Sequence, residues 1–382
     1  MERDLFEELM ERGSDIVVDE HMLSSSYVPL EIVKRDEQMG EIVPTLNVVT
    51  DYQVPRHLFL FGSNGTGKTV TIKYILRRLR DYAKFRSVYI YGSQKVTVYS
   101  VLKEIASELG CITSERLASK GDVINAIHDV MRAVKVPTII VLDECDYYEG
   151  VEYAEILHAL IGDHGTDAPR VCVISIANNI RIVSGMTDAK VASRYRPKNV
   201  EFPAYNRGEL FEILRDRENA FSPGMVDPAI FSVCADIAFK SRNGDARYAL
   251  ELLLEAADLA RRNDEKKVTV ECVRKAEHKI ELDFSLRPIM TLADKPRDIF
   301  LTIASSEEMR IKDVVEVYNI SARKNNEKQL KESNVSYYLG VLEKRGLIER
   351  IRRGKVNGRG VDWFVSVAPD INREEILKAY DA

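Results

Sequence analysis

Eight consecutive residues have the types and spacing of a loop that binds phosphate groups. They are Gly62, Ser63, Asn64, Gly65, Thr66, Gly67, Lys68 and Thr69. The glycines allow backbone conformations in which successive N–H groups turn inward around phosphate oxygens. The apolar run at 57–61 predicts a strand before the loop, and residues 70–82 predict a helix after it, which is the context that such a loop requires. We therefore expect Lys68 to reach the β- and γ-phosphates of ATP or ADP, and the Thr69 hydroxyl to coordinate Mg²⁺.

A pair of acids follows another apolar run. Residues 138–142 predict a buried strand, which ends in Asp143 and Glu144. In a parallel sheet, the carboxyl ends of the strands face the ligand. Asp143 is therefore predicted to hold Mg²⁺, and Glu144 to polarise the water that attacks the γ-phosphate. Without a phosphate loop, an acid pair that caps a helix would be the default interpretation.

Three more polar side chains are candidates for the same reaction. Asn178 ends the next apolar run and could orient the attacking water or touch the γ-phosphate. Arg194, or its neighbour Arg196, could stabilise charge on the γ-oxygens of a nucleotide held by a neighbouring subunit. Arg247 begins a helix from which it could reach the nucleotide and sense its state. The ordinary alternatives are a turn residue for Asn178, a surface arginine for Arg194 and a salt bridge for Arg247.

Strands and helices alternate around these residues. Because each predicted strand is almost continuously apolar, together they indicate an α/β fold with a parallel sheet that helices cover on both faces. A helix with Arg35 on its polar face is also predicted within residues 31–49. This helix could pack near the nucleotide base or be an ordinary surface helix. The predicted strands lie at 57–61, 87–91, 138–142 and 170–176.

The second half of the chain has a different pattern. Helices are predicted at 206–220, 227–240, 245–262 and 269–280, with no strand between them. Three shorter helices follow, and a glycine-tipped hairpin comes after the last of them. This order is typical of a winged helix-turn-helix. A length of 382 residues predicts two or three domains. We place them at 1–205 (nucleotide-binding, with an N-terminal arm), 206–285 (all-helical) and 286–382 (winged helix).

The winged helix is where we expect contact with DNA. The net charge of −5 gives no sign of a nucleic-acid partner, but residues 343–360 hold seven Lys or Arg against two Glu. The third helix should enter the major groove, and the hairpin should meet phosphates or the minor groove. A solvated face on a winged helix that docks protein is the alternative. The candidate DNA contacts are Ser336, Tyr337, Lys344, Arg352, Arg353, Lys355 and Arg359.

Composition and hydropathy indicate the cellular compartment of the protein. The five cysteines have no CxxC spacing, which indicates reduced thiols. No signal peptide and no membrane-spanning run is evident, so we expect a cytoplasmic protein without a membrane partner.

These motifs together resemble those of the AAA+ ATPases. They resemble more closely the archaeal replication initiators related to the origin recognition complex and the cell-division-cycle loading factor. The similarity rests on a Walker A loop at 62–69, a Walker B strand at 139–144, sensor 1 at Asn178, Arg194, and sensor 2 at Arg247. It continues into the winged helix and covers nearly the whole chain. Departures are Ser63-Asn64 in the loop and Cys145 beside the acids, which suggest a diverged paralogue.

The resemblance implies a base domain, a helical lid and a DNA-binding domain. It further implies weak ATP hydrolysis used as a switch, binding to double-stranded origin DNA, and help in recruiting or loading the replicative helicase. Paralogous initiator subunits and association with the nucleoid are also expected. Two other functions stay open at this point: a ring-forming AAA+ DNA translocase of the branch-migration type, and a nucleotide-gated transcription regulator.

Overall fold

The chain divides into two units in the computed structural model, Met1–Val273 and Arg274–Ala382. The structure describes residues 16–94, 97–111, 119–134, 136–148, 150–162, 170–184, 189–325, 328–354, 361–369 and 371–381.

A five-stranded parallel sheet lies at the centre of the first unit. The strand order is β2-β3-β4-β1-β5, so β1 pairs with β4 on one side and with β5 on the other. Their carboxyl ends therefore gather at one edge of the sheet, where a ligand can bind. The strands are β1 (Leu58–Phe61), β2 (Arg86–Tyr91), β3 (Thr138–Asp143), β4 (Val171–Ala177) and β5 (Lys198–Glu201).

Helices cover both faces of this sheet. Side chains alternate across each strand, so Ile139 and Val141 pack on one face and Ile140 and Leu142 on the other. The parallel α/β architecture predicted from the sequence is confirmed. The helices of this part are α1 (Asp36–Leu46), α2 (Lys68–Leu79), α3 (Val98–Glu108), α4 (Lys120–Ala133), α5 (Gly150–Ile161), α6 (Arg181–Ser184) and α7 (Ala189–Arg194).

Strand β5 was missed by the sequence prediction. It contains a single buried residue, Val200, because it lies at the edge of the sheet. Its apolar run is therefore too short to be recognised. Helices α8 (Arg207–Arg215), α9 (Pro228–Arg242) and α10 (Ala246–Arg262) follow and pack on one another, and α11 spans Val270–Met290. No helix among the described residues has the length and apolar character needed to cross a bilayer.

The second unit contains a winged helix, as the sequence predicts. Its antiparallel sheet has the order β6-β8-β7. The third helix of the motif, α14, buries an apolar stripe of Val335, Leu339 and Leu342, and half-buries Tyr338. The elements are α12 (Asp294–Ala304), β6 (Met309–Arg310), α13 (Ile311–Lys324), α14 (Glu332–Lys344), β7 (Ile348–Gly354), β8 (Val361–Val367) and α15 (Arg373–Asp381).

We expect His57 to make the first unit sensitive to acid. It lies directly before β1, and its Nδ1 accepts a hydrogen bond of 3.0 Å from the backbone N–H of Val173 in β4. Burial lowers the pKa of His57 from 6.5 to about 4. As the pH falls below 6.5, the unfolded chain gains a proton that the folded chain does not bind. The free energy of unfolding must therefore decrease through this window.

We predict that His57→Gln flattens this dependence. In the wild type, His57 should cost about 2 kcal/mol of stability between about pH 7.5 and about pH 5. A glutamine keeps an acceptor for Val173 but has no proton to gain. Urea unfolding at both pH values measures the difference, with the exposed His158→Gln as the control. An unchanged pH slope in His57→Gln would contradict the prediction.

Candidate functional site

The predicted phosphate loop lies between β1 and α2 and packs closely against its surroundings. Gly62 and Gly65 both have positive φ, +152° and +68°. A Cβ at Gly62 would overlap the carbonyl of Phe202, and one at Gly65 would overlap the carboxylate of Asp245. Side chains are therefore excluded at both positions by backbone conformation and by space. The loop N–H groups and the start of α2 together form a favourable site for an anion.

Lys68 is buried within the loop itself. Its Nζ donates to the carbonyl oxygens of Gly62 at 2.6 Å and Ser63 at 2.8 Å, and lies 3.4 Å from Oδ1 of Asn178. Burial lowers the pKa of Lys68 from 10.5 to about 8. The ammonium group therefore lacks a fully compensating negative charge, and bound phosphate would supply one.

Thr69 and Asp143 are in direct contact. The hydroxyl of Thr69 donates to Oδ2 of Asp143 at 2.8 Å, and the backbone N–H of Glu144 donates to Oδ1 at 2.9 Å. Tyr89, which no motif includes, also donates to Oδ2, at 2.6 Å. Burial raises the pKa of Asp143, while these hydrogen bonds favour its charged form. A hydroxyl and a carboxylate beside a phosphate loop are hard oxygen ligands that fit Mg²⁺.

Glu144 has an unusual conformation directly after β3. Its φ is +56°, in the left-handed region that non-glycine residues seldom adopt. Its Oε2 is buried and accepts no hydrogen bond from the described residues. A buried carboxylate oxygen without a donor is costly in a folded protein. This oxygen is thus available for a water molecule or another donor supplied with a ligand.

The side chain of Asn178 contacts both Lys68 of the phosphate loop and Asp146, three residues beyond the end of β3. Its Nδ2 donates to Oδ2 of Asp146 at 2.9 Å, while its Oδ1 faces Lys68. Sequence reasoning did not select Asp146, since an acid one turn beyond a strand has no distinctive pattern. The contact fixes which way the Asn178 amide points.

Helix α10, which belongs to the helical lid, brings Arg247 close to the phosphate loop. Asp245 accepts hydrogen bonds from the backbone N–H groups of Arg247 and Tyr248, and so caps α10. The N–H of Ala246 donates to the carbonyl of Gly65 at 3.2 Å, which joins the lid to the loop. The resulting cavity has a volume of about 340 Å³. Its lining includes Lys68, Thr69, Asp143, Glu144, Asn178 and Arg247.

Two residues named in the sequence analysis differ from the rest: Arg194 lies outside the cavity, and Arg35 is buried. Arg194 ends α7, is exposed and does not line this cavity. Arg35, expected on a polar face, is instead buried, and its guanidinium has several partners within the protein. Its Nε donates to the carbonyl of Thr66 at 3.0 Å, and its Nη2 to that of Pro203 at 2.7 Å. Its guanidinium lies 3.6 Å from the ring centroid of Tyr205.

The winged helix exposes the predicted face of α14. Ser336, Tyr337 and Lys344 all point to solvent. Arg352 on β7 is exposed and pairs in register with Trp363, which is 47% exposed and was not selected from the sequence. Because a single tryptophan has no periodicity, only its position on the hairpin marks it.

Arg353 differs from Arg352 because it has partners within the protein. Its Nη2 lies 2.9 Å from Oε1 of Glu308, and its guanidinium lies over the ring of Phe364. Part of its charge is therefore neutralised. Lys355 and Arg359 lie outside the described residues.

The sheet, its phosphate loop and the lid define an AAA+ ATPase. A family model described as an AAA domain matches residues 52–175, and a Cdc6 AAA+ ATPase-type lid domain matches residues 211–278. The CDC6 C-terminal winged helix domain matches residues 299–375.

Individual relatives match over almost the whole chain. The ORC1-type DNA replication protein of Methanothermobacter thermautotrophicus is 31% identical over 379 residues, with 97% of this chain and 100% of that protein covered. A second, from Sulfurisphaera tokodaii, is 29% identical, with 96% and 93% covered. The structure of Aeropyrum pernix Orc1 in complex with DNA has a TM-score of 0.77 at 25% identity, with 96% and 97% covered. This chain belongs to the family of ORC1-type DNA replication proteins, which confirms the resemblance found in its motifs.

The depressed pKa of Lys68 predicts pH-dependent nucleotide binding. Phosphate favours the charged lysine, so binding should raise its pKa from about 8. At a pH about one unit above 8, ADP binding should take up a proton, and its affinity should fall as the pH rises further.

Calorimetric titration with ADP in two buffers of different ionisation enthalpy measures this uptake. ADP is fully ionised above pH 8, so the proton must go to the protein. At about pH 7, where Lys68 is already charged, no uptake by this residue is expected. Equal heats in both buffers above pH 8 would contradict the prediction.

Proposed function

We propose that this chain is an ATP-controlled initiator of DNA replication. It binds double-stranded origin DNA through its winged helix and helps to recruit or load the replicative helicase. The observation that carries the proposal is one alignment spanning both units, at 97% of this chain, with a DNA replication protein. The DNA-bound state of Aeropyrum pernix Orc1 supports the DNA partner.

ATP would bind with its phosphates in the loop at 62–69. Thr69 and Asp143 would hold Mg²⁺, which neutralises phosphate charge when bound. Glu144 would polarise the attacking water, which its free Oε2 supports. Asn178 would orient that water, and Arg247 would sense the nucleotide from the lid. Hydrolysis would be slow and would act as a switch.

Arg194 would act on a neighbouring subunit. Its exposed position outside the cavity of its own chain supports a role in trans. Arg196, the alternative that the sequence leaves open, is also exposed. The neighbour could be a second copy or a paralogous initiator subunit.

The DNA-binding function would reside in the third proposed domain, 286–382, after a base at 1–205 and a lid at 206–285. The side chains of α14 would read the major groove, and the hairpin would contact the backbone. An origin-binding protein of this kind would be cytoplasmic and associated with the nucleoid.

Glu144→Gln should retain nucleotide binding and stop hydrolysis. Glutamine preserves the shape but cannot act as a base, so phosphate release should fall by about 100-fold or more. ATP affinity by calorimetry and phosphate release by a coupled assay give the two readouts. Glu201→Gln, at the carboxyl end of β5, is the matched control. Full hydrolysis in Glu144→Gln would refute the assigned role.

Arg352→Ala should weaken DNA binding at every sequence and lower the salt dependence by about one counterion. Lys344→Ala should act similarly, whereas Lys378→Ala on α15 is the control. Fluorescence anisotropy with duplex DNA at several salt concentrations measures the effect. Arg352→Ala binding as tightly as wild type would contradict a wing contact.

Chromatin immunoprecipitation of wild type and Arg352→Ala separates the candidate functions. Peaks at replication origins that the variant loses would support the initiator. Peaks spread over promoters would overturn it in favour of a transcription regulator.

A further inference from the structure

Tyr89 lies in the nucleotide site, although it belongs to none of the recognised motifs. In the sheet register, Tyr89 pairs with Val141, and Tyr91 pairs with Asp143. The Tyr89 side chain therefore extends forward by two residues to bring its hydroxyl 2.6 Å from Oδ2 of Asp143. This distance is at the short end for O–H···O hydrogen bonds in general and is typical of a charge-assisted contact.

The carboxylate of Asp143 is held from three directions. Oδ2 accepts from Tyr89 of β2 and from Thr69 of α2, and Oδ1 accepts from the backbone N–H of Glu144. Only Tyr89 and Thr69 are side-chain donors to it among the described residues. Since Thr69 is expected to bind Mg²⁺ itself, Tyr89 is the side chain whose contact with Asp143 serves orientation alone.

The ring of Tyr89 is itself well fixed. Nζ of Lys73 lies 5.3 Å from its centroid, and the Tyr91 ring lies 5.0 Å away at an interplanar angle of 47°. Lys73 is one turn beyond Thr69 on α2, so both residues lie on the same helical face. Helix α2 thus makes two contacts here. Lys73 lies over the ring of Tyr89, and Thr69 donates to the Asp143 carboxylate, which also accepts from the Tyr89 hydroxyl.

We propose that Tyr89 is a positioning residue for Mg²⁺-dependent nucleotide binding. Its hydroxyl fixes the rotation of the Asp143 carboxylate, whose remaining lone pairs would then be available to Mg²⁺. Removing the hydroxyl leaves Oδ2 with one side-chain donor, so the carboxylate is held less firmly. This inference rests on the proposed function, because it requires that Thr69 and Asp143 hold Mg²⁺ beside a nucleotide.

The test is a magnesium titration of nucleotide affinity, which requires no turnover. ADP binding is measured by calorimetry with EDTA and then at increasing MgCl₂, for wild type, Tyr89→Phe and Tyr91→Phe. Tyr91→Phe removes a hydroxyl from the same face of the same strand and leaves the Asp143 contacts in place. Tyr89→Phe should raise the midpoint for Mg²⁺ about tenfold. Its metal-free affinity should stay within about twofold of wild type, and Tyr91→Phe should match wild type throughout.

A double variant separates positioning from a general structural role. If Tyr89 acts through Asp143, adding Tyr89→Phe to Asp143→Asn should not shift the midpoint further. A wild-type midpoint in Tyr89→Phe overturns the proposal. So does an equal loss of affinity with and without metal, or an additive effect in the double variant. Wild-type protein that binds no ADP, or shows no response to Mg²⁺, would instead refute the proposed function itself.

Discussion

The close contact between the phosphate loop and the first turn of α10 is the constraint on which the nucleotide site depends. Gly65 has no room for a side chain because Asp245 occupies that space while it caps the helix. The carbonyl of Gly65 also accepts a hydrogen bond from Ala246. Any rearrangement of the loop must therefore move the start of the lid. Arg247 is carried on that turn, so the shape of the loop and the position of a cation near the phosphates are linked.

Charge in the cavity is incompletely compensated without a ligand. Burial lowers the pKa of Lys68 and raises that of Asp143, so each group is shifted toward its neutral form. Glu144 adds a buried oxygen with no donor among the described residues. A nucleotide brings negative phosphates to the lysine, and a divalent cation would favour the ionised carboxylate. The free energy of binding thus includes relief of this imbalance, which suits a site whose occupancy acts as a signal.

The basic residues on the hairpin of the winged helix differ in their surroundings. Arg353 has partners within the fold, Glu308 and Phe364, whereas Arg352 is exposed opposite Trp363. A count of positive charges along the hairpin treats these arginines alike. Their surroundings differ, because the charge of Arg353 is already partly compensated by the carboxylate of Glu308.

The sequence by itself determined the features whose pattern is local. The phosphate loop, the acids at the end of β3 and the buried stripe of α14 each depend on residues close together in the chain. Their conformations follow from glycine placement, apolar runs and helical spacing. Strand β5, Arg35 and Tyr89 were decided only by tertiary structure. An edge strand is recognised by its neighbour, a buried arginine by distant carbonyls, and a tyrosine's role by the carboxylate that its hydroxyl reaches across the sheet. Such contacts join residues far apart in the chain, so no local pattern carries them.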